Sequence, residues 1–169
     1  MRVPVNKATP SIAAPKAAKS YEFLTFRLGK PEEMPSVNDA IAAHQDIAVA
    51  QGRVALGKTG KALADPTIAR ALGSASPTLI IITRVKDDFH AHRAAIIDIL
   101  SSPTKPDEQM IPRYYRHLRN DIKSWIILGP LAILSDVELA QYVLCSNQRL
   151  LLDVLRSTRT SNMLVSKPN

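Results

Sequence analysis

The segment Thr78–Val85 constrains this chain more than any other. Leu79-Ile80-Ile81-Ile82 follow one another without a polar interruption, and Gly73 and Pro77 bracket the approach. A short β-branched run of this kind reads as a central strand buried on both faces. Everything else has to be arranged around it.

A second strand is legible at Tyr21–Leu28. Tyr21, Phe23, Thr25 and Arg27 fall on one side and Leu24, Phe26 and Leu28 on the other, and Gly29-Lys30-Pro31 ends the alternation. Ser36 followed by Asp39 resembles a helix cap, which predicts a helix over 37–51 with Val37, Ile41, His44 and Ala48 in one stripe. A short helix is expected over 66–72. Asp87 and Asp88 read as the start of a helix through Leu100, because acids at that end complement the helix dipole; Phe89, Ile96 and Leu100 would face the core. Pro103, Pro106 and Pro112 make 101–112 a loop, 113–122 reads as helix, and 125–128 as a third strand broken by Gly129-Pro130. Ser135 with Glu138 forms a capping box, so a helix is expected to start at Asp136, and two helices or one bent helix to run to about Thr158.

Strands separated by helical segments indicate an α/β (or α+β) fold. The expectation is a small three- to four-stranded sheet with flanking helices, followed by a helical C-terminal segment. The corresponding division is a flexible basic arm over 1–19, an α/β core over 20–129, and a helical segment with a loose tail over 130–169.

Hydrophobic residues make up 46% of the 169, enough for a core, and the net charge of +7 with a pI near 9.8 favours an anionic partner. The single cysteine, Cys145, excludes an internal disulfide. The longest apolar run, Trp125–Leu134, is too short to span a bilayer as a helix, so no membrane partner is expected.

Gly52-Arg53-Val54-Ala55-Leu56-Gly57-Lys58-Thr59 fits G-x-x-x-x-G-K-[ST], the phosphate-cradling loop of nucleotide hydrolases. Such a loop needs a strand entering it and a helix leaving it. Here the residues before it continue a helical pattern, and Pro66 interrupts the helix after about one turn. Arg84 stands after the central strand, where a magnesium-binding acid belongs. The match reads as a Gly-punctuated basic loop in which Arg53, Lys58 and Lys61 contact phosphate without hydrolysis. The competing reading is a small nucleotide-binding enzyme using Lys58 and Thr59.

The densest cationic cluster runs from Arg113 to Lys123. On a helix Arg113, Arg116 and Asn120 share a face, and Arg116, Arg119 and Lys123 an overlapping one. Guanidinium groups grip phosphate oxygens, and Tyr114 and Tyr115 would stack on unpaired bases. Asp87, Asp88, His90 and His92 are metal-ligand types, but two monodentate groups on one face do not close a site. No catalytic residue, metal or cofactor is nominated. Leu139, Val143, Leu150, Leu151, Leu152, Val154 and Leu155 carry more apolar surface than a short appendage needs; the segment either folds back on the core or docks on a protein partner or a second copy.

A small basic chain with an α/β core through about Gly129 and a helix-forming tail is similar to the minor assembly and packaging accessory protein of cystoviruses, the double-stranded RNA bacteriophages. The resemblance covers the whole length and rests on size, charge and order of elements. It implies a non-enzymatic function in which the protein stabilises capsid assembly and contacts RNA. The expectation is a basic accessory protein of a nucleoprotein or viral assembly, cytoplasmic or inside a virion. Its RNA contacts would be Arg113, Tyr114, Tyr115, Arg116, Arg119, Lys123, Arg53, Lys58 and Lys61. A pure protein–protein scaffold is the further alternative.

Overall fold

The computed structural model describes residues 21–160 and 162–168. The arm expected over 1–19 lies outside them. The strands are β1 (Glu22–Arg27), β2 (Val54–Lys58), β3 (Thr78–Val85), β4 (Asp88–Ser101), β5 (Ser124–Leu128), β6 (Ala132–Leu134), β7 (Val143–Leu144) and β8 (Leu164–Ser166). The α-helices are α1 (Val37–Gln51), α2 (Asp65–Leu72), α3 (Asp136–Leu139) and α4 (Leu151–Ser157). The strands form one mixed eight-stranded sheet in the order β2-β5-β4-β3-β1-β8-β7, with β6 also paired to β4. β1 and β3 are parallel, and the other pairings are antiparallel.

The sheet is therefore much larger than the three or four strands expected. One added strand is β2, in the stretch expected as a basic loop; two further corrections account for the rest. The first is 88–100, which is strand β4 and not helix. Val85 pairs with Asp88 and the register runs unbroken to Thr78 opposite Ala95. Asp87 and Asp88 belong to a tight turn in which Lys86 takes a φ of 57°. The alanines at 91, 94 and 95 favour helix locally. Pairing along the whole of β3 overrides that preference, because β-propensity is mostly a matter of context.

The second correction concerns 130–169. This stretch is not a helical segment. It supplies β6, β7 and β8 to the sheet, and β8 covers the edge of β1 through Phe23 opposite Val165. Its two short helices, α3 and α4, cover one face of the sheet. Leu139, Tyr142, Leu151 and Leu155 pack there against Ile80, Ile82, Phe89 and Ala91. The opposite face carries α1, whose Ala40, Ile41 and Ala48 pack with Leu24, Phe26, Leu79, Ile81 and Trp125. Both faces of β3 are buried, as its apolar run predicts, and the two faces of β1 divide as the alternation predicts.

α1 begins where the Ser36–Asp39 spacing places it: the Asp39 amide donates to Ser36 Oγ at 3.1 Å. A peptide-like clamp then ties α1 to the Gly129-Pro130 break. Gln45 Nε2 donates to the Leu131 carbonyl at 3.1 Å, and the Leu131 amide donates to Gln45 Oε1 at 2.7 Å. Pairing both backbone groups of Leu131 this way avoids the penalty of burying them unsatisfied.

Candidate polyanion-binding surface

The phosphate-loop match does not form a phosphate loop. Gly52, with φ of 78°, ends α1 in the left-handed conformation that favours glycine. Val54 to Lys58 are extended and pair residue by residue with Leu128 to Ser124. In a strand, successive amides point in opposite directions, whereas a phosphate cradle needs them to converge. Gly57 has a packing reason instead. A Cβ there would sit 2.5 Å from Ile122 Cδ1 and 2.9 Å from the Trp125 ring. Lys58 Nζ donates to the Lys61 carbonyl.

The cationic segment also differs from its expected form. Arg113–Leu118 is a 3-10 turn and not an α-helix. Its backbone bonds span three residues, as from the Tyr115 amide to the Pro112 carbonyl at 2.9 Å. Tyr114 and Tyr115 are buried, at 6% and 5% exposure, so neither presents a stacking face to a base. They join an aromatic cluster. Their ring centroids are 4.3 Å apart, His44 packs edge-on to both, and Trp125 packs edge-on to Tyr115 at 5.9 Å. Large rings contribute more to stability inside a core than at its surface, which is the physical reason the nucleic-acid role of the tyrosines fails. Burial pushes the Tyr114 hydroxyl above its ordinary value and Tyr115 up to about 12.

Arg113, Arg116 and Lys123 are exposed. Arg119 is half-buried; its Nη2 donates to the Pro106 carbonyl at 3.2 Å, and its Nε is buried without a partner. Arg119 therefore props the 101–112 loop. The β2–β5 register brings together two basic segments that are remote in sequence. Lys58 lies opposite Ser124, which directly follows Lys123, and Lys58 Nζ is bonded to the Lys61 carbonyl. Arg53 precedes the other end of β2, where Val54 pairs with Leu128, so it does not join them. Exposed Asp107, Glu108 and Asp121 interleave with these cations.

Two clefts flank the strap Leu28–Pro31. The first, about 420 Å³, has charges of both signs: Lys30 and His117 face Glu32 and Glu33, with Tyr114 and Tyr115 in its wall. His117 Nδ1 lies 3.5 Å from Glu33 Oε1. The second, about 560 Å³, is lined by Arg27, Lys30, Arg84 and Arg159 and by the first turn of α1, with no acidic residue in its wall. Sequence reasoning missed these four cations. They come from β1, the strap, the end of β3 and the segment after α4, so no local spacing announces them. Only the alternation of β1, which sets Arg27 apart from Leu24 and Phe26, carried a signal.

Among the described residues, no group of three or more His, Cys, Asp or Glu is placed to hold a metal ion. His90 lies 3.9 Å from Asp136. His44 is buried in the aromatic cluster. Its Nδ1 donates to the Ala40 carbonyl at 2.8 Å, its Nε2 has no partner, and burial lowers its pKa to about 4. No helix among the described residues is long and apolar enough to cross a membrane. No family of proteins, no curated protein and no solved structure matches the chain.

Proposed function

We propose that this protein is a non-enzymatic, basic accessory component of a nucleoprotein or viral assembly that binds RNA through its backbone phosphates. The observation that supports this best is that the segments carrying Lys58, Lys61 and Lys123 meet at one end of the β2–β5 pair. Exposed Arg113 and Arg116 stand on the turn that packs Tyr115 against Trp125 on the same strand. Cations at strand ends and on a packed turn attract a polyanion. With both tyrosines buried, binding relies on phosphate contact and is tolerant of base sequence. In this reading the protein partners are structural or capsid proteins, and the compartment is the cytoplasm or a virion interior.

A salt titration of RNA affinity tests the reading. Affinity should fall steeply as salt rises, and Arg113→Ala with Arg116→Ala should flatten the log–log slope by about one to two units. An unchanged slope with the fold intact by circular dichroism removes this surface from the interface. Absence of RNA binding at low salt leaves a pure protein scaffold as the better account.

A further inference from the structure

We infer that the cleft lined by Arg27, Lys30, Arg84 and Arg159 is a binding site for a single phosphate group, as free phosphate or as the terminal phosphate of an oligonucleotide. The site is separate from the Arg113–Arg116 surface and does not depend on it.

Four cations line this cleft and no acid does. The acids on adjoining elements lie outside the wall and have partners of their own, two of them cleft residues. Asp39 accepts from the Ser36 hydroxyl at 2.7 Å, Asp87 meets Arg84 at 3.4 Å, and Glu33 faces His117 across the other cleft. Asp87 compensates one guanidinium from the side, and the rest of the charge faces the cleft. Arg159 has no ion pair or hydrogen bond among the described residues.

The guanidinium groups are held in place before any ligand arrives. Arg27 donates to the Leu155 carbonyl at 2.9 Å and to the Thr158 carbonyl, which fixes it at the C-terminal end of α4. Arg84 Nε donates to the Lys86 carbonyl at 3.0 Å. Both guanidinium carbons lie against the Phe89 ring, at 5.5 Å for Arg27 and 5.6 Å for Arg84. Crowding like charges is unfavourable without a counter-charge. Burial first, then Arg84 and Arg159, push the Arg27 guanidinium below its ordinary value. A bound anion relieves that repulsion.

The charge and shape favour phosphate over carboxylate. Three guanidinium groups and an ammonium exceed what one carboxylate neutralises, whereas a phosphate monoester carries nearly two charges and three strong acceptor oxygens. Ser36, Val37 and Asn38, at the start of the fifteen-residue α1, line the same wall, where the helix dipole favours an anion. The volume of about 560 Å³ leaves room for the sugar behind the phosphate.

Calorimetry on the full chain tests the site, with inorganic phosphate, a 5′-phosphorylated trinucleotide and its 5′-hydroxyl counterpart, at ionic strength matched with chloride. Phosphate should bind saturably. Arg84→Ala and Arg159→Ala should each weaken it about tenfold, the scale of one charge-assisted contact. Arg113→Ala with Arg116→Ala should leave it unchanged, so failure here and failure of the RNA reading are told apart. Preference for the phosphorylated trinucleotide over both other probes assigns a chain end; equal affinity for it and for free phosphate assigns the free ion. Phosphate should also protect Arg84 and Arg159 of the unaltered protein from phenylglyoxal, a readout that needs no variant. No saturable phosphate binding, no protection, or unchanged affinity in the folded Arg84→Ala/Arg159→Ala protein overturns the proposal.

Discussion

Gly57→Ala separates a glycine needed for packing from one needed for a phosphate. The added Cβ would stand 2.5 Å from Ile122 Cδ1 and 2.9 Å from the Trp125 ring. Carbon atoms in contact normally lie about 3.5–4.0 Å apart, so both neighbours must yield. Ile122 Cδ1 is the end of a flexible side chain. The Trp125 ring is not, because Trp125 is fully buried and holds the Tyr115 edge. Overpacking of this kind costs about 1–3 kcal/mol. For a chain of this size that lowers the melting temperature by roughly 2–12 °C. Urea unfolding would measure it. Ile122→Val removes the closest atom and alone should cost about 0.5–1.5 kcal/mol. In the double variant the two changes should not add, and the total should fall short of their sum by about 0.5 kcal/mol or more. Strict additivity, or Gly57→Ala melting with the unaltered protein, would refute the packing argument. Loss of phosphate affinity without loss of stability would return Gly57 to a ligand loop.

Truncation after Gly129 removes β8 from β1 and the helices from Ile80 and Ile82, so the 1–129 fragment should lose cooperative thermal melting; a sharp transition near that of the full chain would contradict this. The buried His44 stays neutral in the fold, with a pKa of about 4, so the unfolded chain takes up its proton first as pH falls below about 6.5. Stability present above that pH should decline by up to about 3 kcal/mol on the way down to pH 4, and His44→Phe should flatten the profile measured by urea unfolding. Arg119→Ala should lower stability and leave the salt slope of RNA binding almost unchanged, because Arg119 serves the Pro106 carbonyl; a slope change as large as that of the Arg113/Arg116 pair would place it in the interface.

Local patterns carried the first half of the fold. The alternation of 21–28, the Ser36 cap and the apolar run of β3 each appear as their residues imply, because each signal lies within one element. β4 was hidden by its alanines and by Asp87-Asp88, which suit a helix start as well as a hairpin turn. What settles the difference is pairing with β3, and a single segment does not reveal that partner. The leucines of 150–155 misled for a related reason. They do form a helix, but only the short α4, since the chain before it turns at Gln148 with a φ of 60° and bridges Leu150 to Val143. The exposed cations Arg113, Arg116, Lys61 and Lys123 and the half-buried Lys58 were visible as charge, although the pairing that brings the Lys58 and Lys123 segments together was not. The Arg27–Arg159 cleft was invisible because its members meet only through β1–β3 pairing and the bond from Arg27 to Thr158.

The pairing of β8 with β1 has a consequence for how the protein is made. Glu22 finds Ser166 across roughly 140 residues of chain, and synthesis at about 5–20 residues per second puts on the order of ten seconds between them. Throughout that interval one edge of β1 is complete in sequence but lacks its neighbour. An open edge beside an apolar face is a template for pairing with the wrong chain. The protein is thus most exposed to misassembly on the ribosome, and a chaperone or an early partner that shields β1 there should raise its yield more than any gain in the stability of the finished fold.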